Sequence, residues 1–92
     1  MRPRTARSLF IFPENRIRLA YLIRRNGFYV RMHGYEYLVA YENMFLCLII
    51  LQPLEASILI REFKWVDGHR KLVERIVELI RTLDAESRVI IY

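Results

Sequence analysis

The sequence predicts a single small α/β (α+β) domain in which a mixed sheet of four or five strands packs with two helices. Three observations predict this class. Apolar residues recur at helical spacing in two stretches, 14–26 and 69–76. Between them lie short segments rich in aromatic and β-branched residues, separated by turn signals. The length, 92 residues, suits one domain with one core, which we place at 8–92 behind a basic tail at 1–7.

The first helix is the most clearly defined element. Pro13 is a favourable first-turn residue, and Arg24 and Arg25 suit the negative end of the helix dipole. Asn26-Gly27 is typical of a helix C-cap. The apolar run Ser8–Phe12 before this helix is interpreted as a strand or a packing segment.

Three strands are predicted to follow. Phe28–Met32 and Tyr35–Tyr41 flank a turn at His33-Gly34, and Glu42-Asn43 is a short connection to the next segment. Met44–Leu51 is apolar without alternation, which is typical of a strand that is buried on both faces. We therefore expect Met44–Leu51 to lie at the centre of the sheet.

The second half of the chain leaves two alternatives open. Residues 54–66 fit either a strand or a helical turn. A helix begins near His69, but Val77–Leu83 fits its continuation and a separate strand equally well. Asp84–Ser87 is a polar turn, and Arg88–Tyr92 is a terminal strand.

The charge and the cysteine content indicate which partners and which cellular compartment suit this chain. The chain has 15 basic and 10 acidic residues, a net charge of +5, and thirteen Arg against two Lys. This balance suits nucleic acid, although an Arg-rich surface also reflects a GC-rich or thermophilic source. A single cysteine, Cys47, excludes a disulfide framework and suits a reducing compartment. The apolar run at 44–51 is too short to cross a bilayer, and the basic start lacks a signal-peptide core, so we expect a cytoplasmic protein without membrane attachment.

The residues themselves form no convincing catalytic group. His33 and His69 have no companion at metal-ligand spacing, so we predict neither a metal site nor a cofactor. Cys47 lies in the most apolar run and is interpreted as a small buried hydrophobe.

Aromatic residues accompany arginines in the predicted hairpin, and we favour core or interface packing over base stacking for them by about two to one. The aromatic members are Phe28, Tyr29, Tyr35, Tyr37 and Tyr41. The candidate nucleic-acid-binding residues are Arg24, Arg25 and Arg31.

Three segments carry a resemblance to a known family. Tyr21–Arg31 combines a Tyr, a Leu, an Arg pair and a Gly-aromatic step into a strand, and His33-Gly34 is followed by Tyr37 and Tyr41. Leu79–Tyr92 is similar to a closing hairpin with an acidic turn. In this order the segments resemble the nuclease domain of the tRNA-splicing endonucleases, which implies that fold and an association with precursor tRNA.

The sequence lacks two of the three residues in the family's catalytic triad of Tyr, His and Lys. Tyr41 falls at the Tyr position, as a possible relic. No His occurs near 43–45, and Ile76, with Arg75 beside it, stands where the Lys is expected. Phe and Ile side chains cannot transfer protons or stabilise phosphorane charge. The pattern resembles the short structural subunits of heteromeric archaeal enzymes, which implies a catalytic partner subunit in a heterotetramer.

The resemblance also implies an interface, because in that family an acidic turn of one subunit inserts into a basic cleft of its neighbour. The residues expected there are Asp84, Glu86, Val89, Ile90, Ile91 and Tyr92. One alternative is a stand-alone, homodimeric, basic nucleic-acid-binding protein. Another is a small active nuclease that uses Tyr41, His69 and Lys71, although residues two apart on a helix diverge.

Overall fold

The computed structural model describes residues 8–92, so the basic tail predicted at 1–7 lies outside the described residues. It confirms a small α+β domain with a five-stranded mixed sheet and two α-helices. In chain order the elements are a 3₁₀ turn Leu9–Ile11, α1 (Pro13–Arg25), β1 (Tyr29–His33), β2 (Glu36–Tyr41), β3 (Met44–Gln52), a 3₁₀ turn Pro53–Glu55, β4 (Ser57–Glu62), α2 (His69–Leu83) and β5 (Arg88–Ile91).

The strands lie in the order β1-β2-β3-β4-β5, so β3 is at the centre as the sequence predicts. The first four form an antiparallel meander with short connections. The chain then crosses over through α2, and β5 pairs parallel to β4. The edges of the sheet are therefore β1 and β5.

Both helices pack against the same face of the sheet. One buried cluster joins helix side chains to strand side chains that alternate with half-buried or exposed neighbours. Its fully buried members include Leu19, Ile23, Val73, Ile76 and Ile80 from the helices, and Tyr37, Val39, Cys47, Ile49, Ile58 and Ile60 from the strands. We call the opposite side of the sheet the open face.

The expectation that β3 is buried on both faces is wrong. Leu46, Cys47 and Ile49 are fully buried, whereas Leu48 and Ile50, which point to the open face, are only half-buried. Within residues 8–92 no second layer covers that side of β3. The strand lacks polar alternation because its open face is also apolar.

The run Ser8–Phe12 is a packing segment, not a strand. Phe10 is fully buried, and the Arg16 guanidinium donates hydrogen bonds to the Phe10 and Ile11 carbonyls, at 2.8 and 3.2 Å. The Tyr37 hydroxyl donates to the Arg16 carbonyl at 2.7 Å. These contacts fix the start of α1 against β2.

In the second half of the chain, one of the two uncertain stretches is a strand and the other is a helix. Residues 57–62 form β4, the strand interpretation of the uncertain 54–66 stretch. Val77–Leu83 is the continuation of α2, so the strand alternative and the closing hairpin that it implied are wrong. The reason is helical spacing: Val73, Ile76, Leu79 and Ile80 form one buried stripe against the sheet.

None of the helices described in residues 8–92 has both the length and the apolar content needed to span a membrane.

Candidate functional site

Asp84 lies at the end of α2, where its carboxylate is buried within the domain. The hydroxyls of Ser8 and Ser87 donate to Oδ2, the latter at 2.6 Å. The backbone N–H groups of Glu86 and Ser87 donate to Oδ1, each at 3.1 Å. Both carboxylate oxygens are thus engaged by donors of the same chain.

These contacts determine the ionisation of Asp84. Burial raises the pKa of the carboxyl group, but the hydrogen bonds from Ser8, Ser87 and Glu86 outweigh it and leave the pKa below its ordinary value. The carboxylate is therefore charged at neutral pH. It connects the segment before α1 to the turn before β5.

The acidic turn consequently presents one carboxylate, not two. Asp84 was expected to meet a partner's cations, but the structure gives it an intramolecular role. Glu86 is exposed and remains available. The Arg81 guanidinium donates to the carbonyls of Ala85 and Ser87, so the turn is held from the α2 side as well.

The strand that follows has two different faces. Val89 and Ile91 are half-buried and pack against the core, whereas Ile90 and Tyr92 are 39% and 57% exposed. One side of β5 is hydrogen-bonded to β4, and no strand in residues 8–92 pairs with its other side. The backbone groups of that edge are a template for strand addition.

The positions at which the sequence resemblance would place a catalytic triad are apolar or engaged elsewhere. Tyr41 is half-buried, and its ring lies 5.7 Å from that of Phe28 at a tilt of 52°. Ile76 is fully buried in the core. Arg75 is exposed and donates to Glu78 and Asn26, at 3.0 and 2.8 Å.

Of the residues of the small-nuclease alternative, only His69 contacts a buried carboxylate, that of Glu62. The Glu62 side chain is 3% exposed and contacts His69 Nε2 at 3.5 Å and Arg70 Nε at 3.1 Å. Lys71 is exposed on α2. The polar partner of His69 is thus Glu62, which also forms an ion pair with Arg70 at the start of α2.

The Cys47 side chain is fully buried in the core between the sheet and the two helices. Burial, with a smaller contribution from the Glu62 carboxylate, raises the pKa of its thiol to about 12. The side chain is neutral and inaccessible, in agreement with its interpretation as a small hydrophobe. Among residues 8–92 no three His, Cys, Asp or Glu side chains come together as a metal site.

The three candidate arginines lie near the β1 edge but on different sides of it. Arg24 donates to the Val30 carbonyl at 3.2 Å, and Arg25 lies over the Tyr21 ring at 5.7 Å from its centroid. Arg31 is exposed on β1 and alternates onto the open face. The structure therefore separates Arg31 from the helix pair.

Sequence reasoning grouped Tyr29 with the hairpin aromatics but missed Phe45, which lies with it at one end of the open face. Tyr29 and Phe45 are 58% and 43% exposed there, and they line a cavity with Ala40 and Asn43. Near the end of β4, the Phe63 and Trp65 rings stack at 5.0 Å, and Trp65 is exposed. Counting strand pairs outward from both turns, the one at Gly34 and the one at Glu42-Asn43, would have placed Tyr29 and Phe45 on one face. No comparable signal identified the Phe63–Trp65 stack.

No known protein family has a model that matches this chain. No curated protein is significantly similar to it. No solved structure matches its fold significantly. The resemblance to tRNA-splicing endonucleases therefore stays a prediction from the sequence.

Proposed function

We propose that this chain is a non-catalytic structural subunit of a tRNA-splicing endonuclease. It assembles in the cytoplasm with a catalytic subunit, as a heterotetramer, and the complex removes introns from precursor tRNA. The proposal starts from the ordered sequence resemblance of Tyr21–Arg31, His33–Tyr41 and the tail that ends at Tyr92. The helix at 77–83 removes the closing hairpin from that resemblance, so the proposal depends on the remaining segments and on the surface of β5.

One observation carries the proposal. The open edge of β5, with exposed Ile90 and Tyr92, directly follows the exposed carboxylate of Glu86. An unpaired strand edge beside apolar side chains binds a partner strand through backbone hydrogen bonds and apolar burial. The nearby carboxylate gives the contact a preference for a basic partner surface.

The triad positions support a non-catalytic role within such a complex. The equivalent of the Lys is the buried Ile76, and the equivalent of the His falls in the turn and first residues of β3, near Phe45. Neither side chain has a titratable group. A catalytic partner would have to supply the acid and the charge-stabilising group.

Reconstitution tests the proposal. The purified chain, a catalytic tRNA-splicing endonuclease subunit from the same organism, and their mixture are each incubated with an intron-containing precursor tRNA. We expect intron cleavage by the mixture and none by this chain alone. Cleavage by this chain alone, or a mixture that is no more active than the catalytic subunit, would overturn the proposal.

A further inference from the structure

The open face is apolar along its middle, and no segment of residues 8–92 covers it. Strand alternation, with a register shift between Val39 and Ala40, determines which side chains point there. The apolar members are Tyr29, Leu38, Ala40, Phe45, Leu48, Ile50, Leu59 and Ile90, most of them half-buried or exposed. An apolar sheet face of this kind is typical of a binding surface.

A small cavity lies at the β1 end of this face. Tyr29, Ala40 and Phe45 are paired in one row across β1, β2 and β3, so the two rings stand on either side of the Ala40 methyl group. The cavity has a volume of about 260 Å³ and is also lined by Asn43. Pockets for drug-sized ligands are larger, about 300–1,000 Å³. The cavity therefore suits a single small ring system.

The spacing of the row matches a stacked ring. Neighbouring strands are about 4.8 Å apart, so the backbones that carry Tyr29 and Phe45 are separated by about 9.6 Å. Offset-stacked aromatic rings have centroids about 4.5–7 Å apart, so a ring between two others needs about 9–14 Å. A planar ring can thus contact both side chains above Ala40. Asn43 also lines the cavity, and its side-chain amide has both donor and acceptor groups for the edge of such a ring.

The charge of the open face selects the class of ligand. Its strand positions carry three arginines, Arg31, Arg61 and Arg88, against one carboxylate, Glu36. The salt bridges found within residues 8–92 involve none of these four side chains. A second copy of the chain would bring like charges together on this face, whereas a polyanion would neutralise them.

We propose that the open face binds single-stranded RNA, with one unstacked base held between Tyr29 and Phe45 and with phosphates contacting Arg31, Arg61 and Arg88 along the face. Sheet-borne aromatics beside arginines are a common means of single-strand recognition. The binding is made by this chain alone and needs no catalytic subunit. It therefore stands or fails separately from the proposed endonuclease role.

Fluorescence anisotropy with a labelled octauridylate at low salt tests the proposal. We expect the single strand to bind at least about tenfold more tightly than a blunt RNA duplex of equal length. Tyr29→Ala and Phe45→Ala should each raise the Kd about fivefold or more, because each removes a stacking surface. Tyr29→Phe keeps the ring and should bind like the wild type. Phe12→Ala is the matched control, since it removes an exposed ring at the start of α1, outside the sheet.

Three outcomes would overturn the proposal, provided that circular dichroism shows folded variants. One is an unchanged Kd in both Tyr29→Ala and Phe45→Ala. Another is equal affinity for the duplex, which would indicate phosphate contacts without a held base. The third is a wild-type dimer in analytical ultracentrifugation that Phe45→Ala dissociates, which would assign the face to a second copy.

Discussion

Asp84 illustrates how much of this fold depends on single polar side chains. Its carboxylate accepts a hydrogen bond from Ser8, 76 positions earlier in the sequence, and another from Ser87 in its own turn. A buried charge is tolerated only when such donors replace its water. The interaction fixes the segment before α1 and the start of β5 in one arrangement.

The pH dependence of stability should report this group. The folded-state pKa of Asp84 lies below its ordinary value of 3.8. The ionised carboxylate therefore contributes its full stabilisation above about pH 3.8, and this stabilisation is lost as the pH falls through the folded-state pKa. Asp84→Asn replaces one acceptor oxygen by a donor amide, and we expect it to lower the free energy of unfolding by about 1–3 kcal/mol at pH 7. The difference should shrink at about pH 2. Urea denaturation at both pH values measures it.

Glu86→Gln is the control for that experiment, because Glu86 is an exposed carboxylate in the same turn. We expect it to change stability by no more than about 0.5 kcal/mol at either pH. If Asp84→Asn lost the same amount at both pH values, the ionised carboxylate would not be the stabilising species.

Cys47 provides a second test at the same scale. It is fully buried at the centre of the sheet and pairs in register with Glu62. Cys47→Asp would place a second carboxylate beside Glu62, and we expect it to lower the free energy of unfolding by at least about 3 kcal/mol. Cys47→Ala, which removes only the thiol, should lose about 1 kcal/mol. Equal stability of the Asp and Ala variants would contradict this description of the core.

The raised pKa of Cys47 predicts its reactivity as well. A thiol with a pKa of about 12 is almost wholly protonated at pH 8, and this one has no solvent access. We expect no reaction with a thiol-specific reagent in the native protein and full reaction in denaturant.

At the scale of elements, substitutions beside β5 test the proposed subunit role. Glu86 lies in the turn before β5 and Tyr92 directly follows the strand, and both are exposed, so their truncation should leave the domain folded. We expect Glu86→Ala with Tyr92→Ala to weaken binding to a catalytic subunit by at least tenfold, about 1.4 kcal/mol. Titration of the labelled chain into its partner at fixed salt measures the Kd. Glu55→Ala, which removes an exposed carboxylate after β3, is the control.

The paired substitution leaves Asp84 unchanged. A variant that lacks the Asp84 carboxylate would weaken the turn itself, because Ser8, Glu86 and Ser87 would lose their acceptor. A loss of binding would then report unfolding of the turn. An unchanged Kd in the folded Glu86→Ala, Tyr92→Ala variant would exclude this end of β5 from the interface.

Local signals account for the elements that the sequence predicted correctly. Pro13 at the start and Asn26-Gly27 at the end define α1, and the strands up to β3 are separated by recognisable turns. Such signals act through the backbone of a few neighbouring residues, so they are visible without the tertiary structure. The centre position of β3 was also predicted correctly from its apolar run, although the burial on both faces that the prediction assumed is wrong.

The remaining features depend on contacts between distant residues. Val77–Leu83 has apolar residues that fit two periods, and only its packing on the sheet selects the helix. The role of Asp84 required knowing that Ser8 lies beside it. The Tyr29–Phe45 cavity required the strand register, and the apolar run of β3 concealed that one side of it is open.

At the scale of the molecule, the domain has two layers with unequal surroundings. The helix layer covers one side of the sheet, and the open face leaves apolar side chains with Arg31, Arg61 and Arg88 on the other. The net charge of +5 attracts polyanions in general. Specific binding to the open face would depend on the arginines of that face, whereas general attraction would depend equally on arginines elsewhere.

Salt dependence makes that distinction measurable. Each phosphate contact to a single strand contributes about 0.7 to the slope of log Kd against log salt, so three contacting arginines should give a slope of about 2. Arg31→Ala should reduce the slope by about 0.7, because Arg31 lies on the open face. Arg25→Ala and Arg18→Ala remove the same charge from α1, on the helix side, and should leave the slope nearly unchanged. A slope that falls equally in all three variants would show that net charge alone attracts the RNA.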